Sequence, residues 1–415
     1  METRSYVILF VPDNAAVSRP TIRSEEETRM DENRRRLRFW KTIYPPVRYL
    51  CSKRYGYTFD PVTAERPYLL IANHTTNFLD VFLLALTVGK TPVAFVGSEH
   101  IRRSGLLGFI VRRYFTLISR PKGAQALSTV REILNTLRNG MPVCLFAEGN
   151  CSWDGRSIPV VEGTGTLVRA CGAPLITYRV EGGYLCHPRW AKGSKKGKIT
   201  ARQVGFYPPE ELKKLSSQQV NALIDRDIRE DAWETQRKNL QRAKGRRRAE
   251  TIERFLYLCP SCKRIGTLRS RREKFSCSCG KSWEYTETGF LKPDKPFSTL
   301  AEWEDWQKEA LRENDFVRDD LGDRLFSDTD CVLSRIEKDA KVLGRGDLIE
   351  REGKIECAGH GFDLDGISSM DMIKHDLIVF TACDGYYQIR ARGRTNLRKY
   401  VESWKARKEQ NGGRT

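Results

Sequence analysis

From residue 66 to residue 180, short apolar β-type runs alternate with segments whose apolar residues recur at helical spacing. No other feature of the chain restricts its fold so strongly. Residues 67–72 read as a strand, Leu79–Val88 as a helix ending at Gly89, 92–96 as a strand, Gly105–Tyr114 as a helix and 115–119 as a strand. Residues 124–139 carry Leu127, Val130, Ile133, Leu134 and Leu137 at helical intervals and stop at Gly140. Val143–Phe146, Thr164–Cys171 and 174–180 continue as strand, helix and strand. Such alternation predicts an α/β layer fold, a mixed, mostly parallel sheet flanked by helices.

The flanks read differently. Residues 13–36 are polar, a loop or a loosely held helix, and 38–57 interleave Phe39, Trp40, Tyr44, Tyr49 and Leu50 with Arg38, Lys41, Arg48, Lys53 and Arg54. Pro45-Pro46 is expected to break that stretch into two amphipathic pieces, which serve either as an interfacial membrane anchor or as helix packed on the domain. Residues 203–248 are charged and expected to be mostly helical, starting at Pro208-Pro209-Glu210-Glu211. From 331 to 391 short β-like runs are punctuated by glycines, and a helix over 396–406 follows. That pattern predicts a small antiparallel barrel or sandwich capped by one helix.

Charge sets the class of partner. The 415 residues include 72 Lys and Arg against 53 Asp and Glu, a formal charge of +19. A negative partner is required, whether nucleic acid, an anionic membrane surface or a phosphorylated substrate. Single basic runs such as 34–36 and 244–248 read equally well as solvated faces. No apolar run reaches the roughly 18 residues that span a bilayer, and no secretory signal pattern opens the chain. Twelve cysteines in this length do not make a disulfide scaffold, so a reducing cytosol is expected.

His74 follows the apolar run 68–72 and Asp80 lies six residues on, at the start of the next helix. An imidazole in a strand-to-helix turn with a carboxylate beside it can take a proton from a hydroxyl, because the carboxylate fixes the tautomer. A lone strand-end histidine is more often structural. Three further segments follow in order. They are Tyr114-Phe115-Thr116-Leu117-Ile118-Ser119-Arg120, Phe146-Ala147-Glu148-Gly149-Asn150-Cys151-Ser152 and Ala173-Pro174-Leu175-Ile176. Together with Asn73-His74…Asp80 they resemble the four blocks of the glycerolphosphate and lysophospholipid acyltransferase superfamily, over roughly residues 40–205. The resemblance implies an O-acyltransferase that moves a fatty acyl group from acyl-CoA or acyl-carrier protein to glycerol-3-phosphate or a lysophospholipid such as lysophosphatidate. It implies His74 as general base, Asp80 as its orienting acid and Arg120 as the holder of the acceptor phosphate. Backbone N–H groups near Gly149 or Asn73 would stabilise the oxyanion, and Glu148 would organise the loop.

Departures from the family pattern are specific. Five residues lie between His74 and Asp80 where four are usual, Tyr114 stands for glycine, Ala147 for proline, and Cys151 for the third block's arginine. Lys122 and Arg156 are the expected replacement cations beside Arg120. Cys151 is also a conceivable acyl-accepting thiol, although nothing in the sequence lowers its pKa.

Cys259-Pro260-Ser261-Cys262 and Cys277-Ser278-Cys279-Gly280 supply four thiolates in two close pairs, the ligand set of a closed structural Zn2+ site resembling a zinc ribbon. Four reduced core cysteines are the plainer reading. The final unit resembles pleckstrin-homology-like domains in strand count and closing helix, a pattern-level similarity. The expected domains are an extension over 1–37, an acyltransferase domain with charged helical tail over 38–250, a zinc ribbon over 251–290, a helical linker over 291–327 and the β-rich unit over 328–415. The protein is expected at the cytosolic face of a membrane, peripherally held. Two other classes stand beside this one. They are an inactive lipid-binding scaffold and a zinc-ribbon nucleic-acid-binding protein, the latter disfavoured because the ribbon lacks a stacking array and the basic residues spread over the whole chain.

Overall fold

In the computed structural model the described residues are 25–76, 79–98, 105–120, 126–317, 324–337, 339–351, 353–382 and 384–412, and the side chains of 25–30, 105–107 and 126 are outside the description. The strand–helix alternation folds into a seven-stranded sheet of β1 (Thr58–Phe59), β2 (Leu69–Ala72), β3 (Ala94–Ser98), β4 (Thr116–Arg120), β5 (Val143–Phe146), β6 (Leu175–Glu181) and β7 (Thr200–Tyr207). Its order is β1-β7-β6-β2-β5-β3-β4, and only the β6–β7 pair is antiparallel. The mixed, mostly parallel sheet is thus present.

Helices cover both faces, which is why the central strands β2 and β5 are apolar on every residue. Leu70, Ala72, Phe146, Ile176 and Tyr178 pack against α1 (Glu25–Tyr55) and α2 (Leu79–Val88). Their neighbours Leu69, Ile71, Val143 and Leu175 point the other way, onto α4 (Ala126–Arg138), α5 (Thr164–Cys171), α7 (Pro209–Lys214) and α8 (Ser217–Ile228). The remaining helices of this part are α3 (Gly105–Tyr114), α6 (Gly183–Cys186) and α9 (Ala232–Lys238). Leu83, Leu84 and Leu86 of α2 are fully buried, each worth about 1.5–3 kcal/mol.

One expectation is corrected here. Pro45-Pro46 does not break the chain, and α1 runs unbroken through both prolines. Both are exposed, so the carbonyls one turn back that lose an N–H partner face water. Tertiary anchors flank the weak point, with Trp40 Nε1 donating to Gly89 O at 2.8 Å and Tyr44 Oη to Leu86 O at 3.3 Å. Residues 203–248 are mostly helical, as expected. They begin inside β7, contain the short helices α7, α8 and α9, and run without helix from 239 to 251. The alternating burial of β7, an outer strand of the sheet, leaves Val204 and Phe206 exposed.

A four-stranded antiparallel sheet of β8 (Leu268–Arg271), β9 (Lys274–Cys277), β10 (Ser282–Tyr285) and β11 (Leu291–Lys292) follows. α10 (Leu300–Arg312) starts at a capping box between Thr299 and Glu302 and places Trp303 in one core with Phe275 and Trp283. The last seven strands are β12 (Arg324–Ile336), β13 (Ala340–Arg351), β14 (Lys354–Cys357), β15 (His360–Asp363), β16 (Ser369–Ile373), β17 (Leu377–Ala382) and β18 (Gly385–Ala391). They form an antiparallel sheet in which the first pairs with the last, β12 with β18. α11 (Arg398–Gly412) closes it, with Tyr400 and Val401 in the core of the sheet. Buried Arg398 joins α11 to α10 through Glu304 (Nη1 to Oε2, 2.7 Å).

Candidate active site

In an open α/β sheet, ligands bind beyond the carboxyl ends of parallel strands. Three expected site residues emerge at that edge: His74 just after β2, Arg120 at the end of β4 and Glu148 just after β5. His74 Nδ1 lies 2.8 Å from Asp80 Oδ2. The Asp80 side chain is completely buried and that of His74 is 19% exposed, so solvent reaches the imidazole and not the carboxylate.

Asp80 is held by its own turn. Its Oδ2 also accepts the Thr76 N–H at 2.8 Å, and its Oδ1 accepts the Thr76 hydroxyl at 2.7 Å and the Thr75 hydroxyl at 3.5 Å. The Thr76 hydroxyl in return accepts the Asp80 N–H at 3.1 Å. Asp80 sits in the first turn of α2, where the helix dipole favours an acid. The longer His-to-Asp spacing is therefore compatible with a closed pair, and the threonines that accomplish this stand in the sequence between the two.

The imidazole lies flat on Phe146, ring centroids 4.3 Å apart and planes 19° apart. Beneath it, the Glu148 carboxylate accepts the His74 N–H at 2.9 Å on Oε1 and the Ile158 N–H at 2.9 Å on Oε2. The Ser152 N–H donates to His74 O at 3.0 Å. Burial pushes Glu148 up to about 8, against the opposing pull of those two N–H donors. Its contacts are to the backbone on either side of the site, and it joins the β2–α2 turn to the loop over 156–161.

Gly149 has φ +69°, and a Cβ there would meet Val161 Cγ2 at 2.9 Å and Arg120 Nη1 at 3.1 Å. A side chain is excluded by backbone conformation and by space. The same contact shows that Arg120 reaches back over the β5 turn toward the histidine, although β4 stands three strand spacings, roughly 14 Å, from β2. Arg120 is exposed, and its guanidinium has no ion pair or hydrogen bond among the described residues.

Several expected ligands are elsewhere. Asn73 is fully buried, and its amide donates to Val180 O at 2.9 Å and accepts from Val180 N at 2.7 Å. It fastens β2 to β6 and offers its side chain to no substrate. The Gly149 N–H donates to Phe146 O at 3.1 Å, so it closes a turn and is not a free oxyanion donor. Arg156 turns away from Arg120: its Nη1 and Nη2 fork onto Asp305 at 2.8 and 2.6 Å, and its Nε meets Asp154 at 2.7 Å. Lys122 lies outside the described residues. Cys151 is buried, and burial pushes its thiol well above the usual range. That environment suits an inert core thiol and not a nucleophile.

A residue with no signature in the sequence occupies the space around Cys151. Arg189 is 2% exposed and donates from Nη1 to Asn150 Oδ1 at 2.6 Å and Cys151 O at 3.0 Å. It also donates from Nη2 to Met372 O at 2.7 Å and from Nε to Lys374 O at 2.9 Å, and its guanidinium lies 4.4 Å from the Trp153 ring centroid.

A second constellation is separate. The Sγ atoms of Cys259, Cys262, Cys277 and Cys279 all lie within 4.8 Å of one another. Cys259–Cys279 is 3.9 Å and Cys262–Cys277 is 3.6 Å. A tetrahedron of Zn–S bonds of about 2.3 Å has edges of about 3.8 Å, so the set fits such an ion. Burial pushes Cys259 up. For Cys277 burial acts the same way, but the Cys279 N–H, the Thr267 hydroxyl and the adjoining thiols outweigh it and bring the group down to about 6.

Residues 55–181 match the protein family described as Acyltransferase. The chain is also similar to the crystal structure of the 1-acyl-sn-glycerophosphate (LPA) acyltransferase PlsC from Thermotoga maritima. The TM-score is 0.40 and the identity 18%, over 54% of this chain and 86% of that one. His74, Asp80, Arg120 and Glu148 all lie within the stretch that matches this family, in a chain that continues for more than half its length beyond it.

Proposed function

We propose that this protein is an O-acyltransferase that moves a fatty acyl group from a thioester, acyl-CoA or acyl-carrier protein, to the hydroxyl of glycerol-3-phosphate or a lysophospholipid such as lysophosphatidate. The observation that carries this reading is the 2.8 Å His74–Asp80 pair, partly open to solvent on the imidazole side only, inside the segment that matches the acyltransferase family. With Nδ1 held by Asp80, Nε2 is the nitrogen left to accept a proton. As the acceptor oxygen attacks the thioester carbon, its proton passes to Nε2. When the tetrahedral intermediate collapses, the C–S bond breaks and the departing sulfur takes that proton back. Arg120 receives the acceptor phosphate as a forked cation.

Zn2+ at the four cysteines would crosslink the β8–β11 module, and with sulfur at every position it has no coordination site for substrate. Membrane contact is assigned to α1 and α3, which are joined by Phe39 stacked on Tyr114 at 4.1 Å. Tyr49, Leu50 and Phe109 there are 62%, 61% and 53% exposed, and Arg48, Lys53 and Arg54 stand beside the first two. Such a surface suits the headgroup region of an anionic bilayer. Among the described residues no helix is long and apolar enough to cross a membrane.

The test is incubation of the purified protein with a labelled acyl thioester and a panel of phosphorylated glycerol acceptors, read by mass spectrometry. Ester product is expected from the natural chain, with a loss of about 10²–10⁴-fold in His74→Ala at unchanged thermal stability. Full turnover by that variant would remove the mechanism.

A further inference from the structure

The loop that frames His74 is gripped from outside its own domain. Residues 150–153 supply the Ser152 N–H that binds His74 O at 3.0 Å, and the same loop is fastened to β16 by two independent links. Asn150 Nδ2 donates to Asp371 Oδ1 at 2.7 Å. Arg189 spans the seam, with two bonds to Asn150 and Cys151 on one side and two to Met372 and Lys374 on the other. All four of its acceptors are uncharged oxygens, and its charge is further offset by the face of Trp153. An arginine buried to 2% is costly to maintain, and nothing in packing alone requires one at a joint between two sheets.

We propose that Arg189 is a positioning residue for His74 and that the C-terminal antiparallel sheet is, through Arg189 and Asp371, part of the catalytic unit. The proposal rests on the acyl-transfer reading for its kinetic consequence but not for its geometric one. Four backbone and side-chain oxygens converge on one guanidinium, so the positions of β16 and of residues 150–151 are fixed relative to each other. Ser152 then transmits that position to the backbone of His74. Displacement of the loop moves the imidazole relative to Asp80 and to the reacting carbon, where an error of about 1 Å costs as much as 100-fold in rate. Substrate affinity has no such dependence, because Arg189 lies in the seam and the phosphate cation is Arg120.

The experiment uses the full-length chain with Arg189→Met, Arg189→Lys and Asp371→Ala. Each is measured for kcat and KM with a labelled acyl-CoA and glycerol-3-phosphate, and by ¹⁵N NMR of the His74 imidazole. Arg189→Met is expected to lower kcat about tenfold or more while KM stays within about twofold, and to shift the His74 ring resonances although it does not touch the ring. Arg189→Lys is expected to recover part of kcat. A folded Arg189→Met with the natural kcat and unmoved His74 signals overturns the proposal. Where Arg189→Met fails to fold, Asp371→Ala, which removes the acceptor of the Asn150 amide, decides by the same two readouts. If the natural chain turns over no acceptor, the acyl-transfer reading falls, and the His74 resonances alone decide the link between β16 and the histidine.

Discussion

The His74–Asp80 pair and the four-cysteine cluster are both short strings in the sequence, yet they are completed in opposite ways. Every oxygen of Asp80 is met by a donor from within six residues, His74, Thr75 and Thr76. The pair is pre-organised by the chain itself. The thiols meet mainly one another, across hairpins fifteen to twenty residues apart, and burial raises one while hydrogen bonds bring another down to about 6. A low-pKa sulfur packed among thiols is an arrangement that a cation satisfies. The carboxylate is thus satisfied by its own turn, whereas the thiols leave room for a cation to complete them.

Breaking the cluster should give the largest effect. Structural zinc contributes about 10–16 kcal/mol of apparent binding energy at neutral pH. Cys277→Ser, or a strong chelator, should therefore release the metal and melt β8–β11. Elemental analysis reads the loss, and hydrogen exchange over 259–285 together with Trp283 fluorescence reads the melting. Trp283 is placed to report because it packs 4.9 Å from Trp303 of α10. A metal-free chain with unchanged protection in that segment would put both constellations in the same self-sufficient class.

Next comes Asp80→Asn, which turns an acceptor facing His74 Nδ1 into an amide and favours the wrong tautomer. A fall in kcat of about 10²–10⁴-fold is expected, with stability lowered by about 1–3 kcal/mol for the mismatched buried donors. Stopped-assay kinetics and thermal melts separate the two. A natural kcat in this variant would show that the pair is structural.

The smallest effect concerns Glu148 and carries a pH sign. Burial raises its folded-state pKa to about 8, above its value in the unfolded chain. Between about pH 4.5 and 8 the unfolded chain has released this proton and the folded one has not, so folding stability falls as pH rises through that window. Glu148→Gln removes the titration. Its stability deficit against the natural chain should be greatest near pH 5 and shrink by roughly 2–4 kcal/mol toward pH 8. Denaturant melts at the two pH values test this, and a deficit independent of pH would show that Glu148 is already ionised in the fold.

Legibility in the sequence followed the distance between partners. The strand–helix order of the first domain was readable because each element is signalled by its own periodicity, and the His74–Asp80 pair because six positions separate its members. Asn73, by contrast, takes its partner from β6, 107 residues away, and Arg156 takes Asp305, 149 residues away. A basic residue near a phosphate motif carries no mark of which carboxylate will claim it. In the last sheet, β15 and β16 carry a weak strand signal, because His360–Asp363 is largely exposed and Ser369–Ile373 alternates polar residues with methionines. The unbroken α1 was hidden for another reason. Proline weakens a helix locally, but Trp40 and Tyr44 hold it from the sheet side.

The link from Asn150 to Asp371 joins positions 221 residues apart. On a ribosome adding about 5–20 residues per second, the histidine loop therefore emerges some tens of seconds before the strand that fastens it. During that interval a nascent chain has the His74–Asp80 pair but not the contact from β16 to its loop. Premature termination between residue 181 and β16 would release a polypeptide with the whole family segment and that loop unfastened.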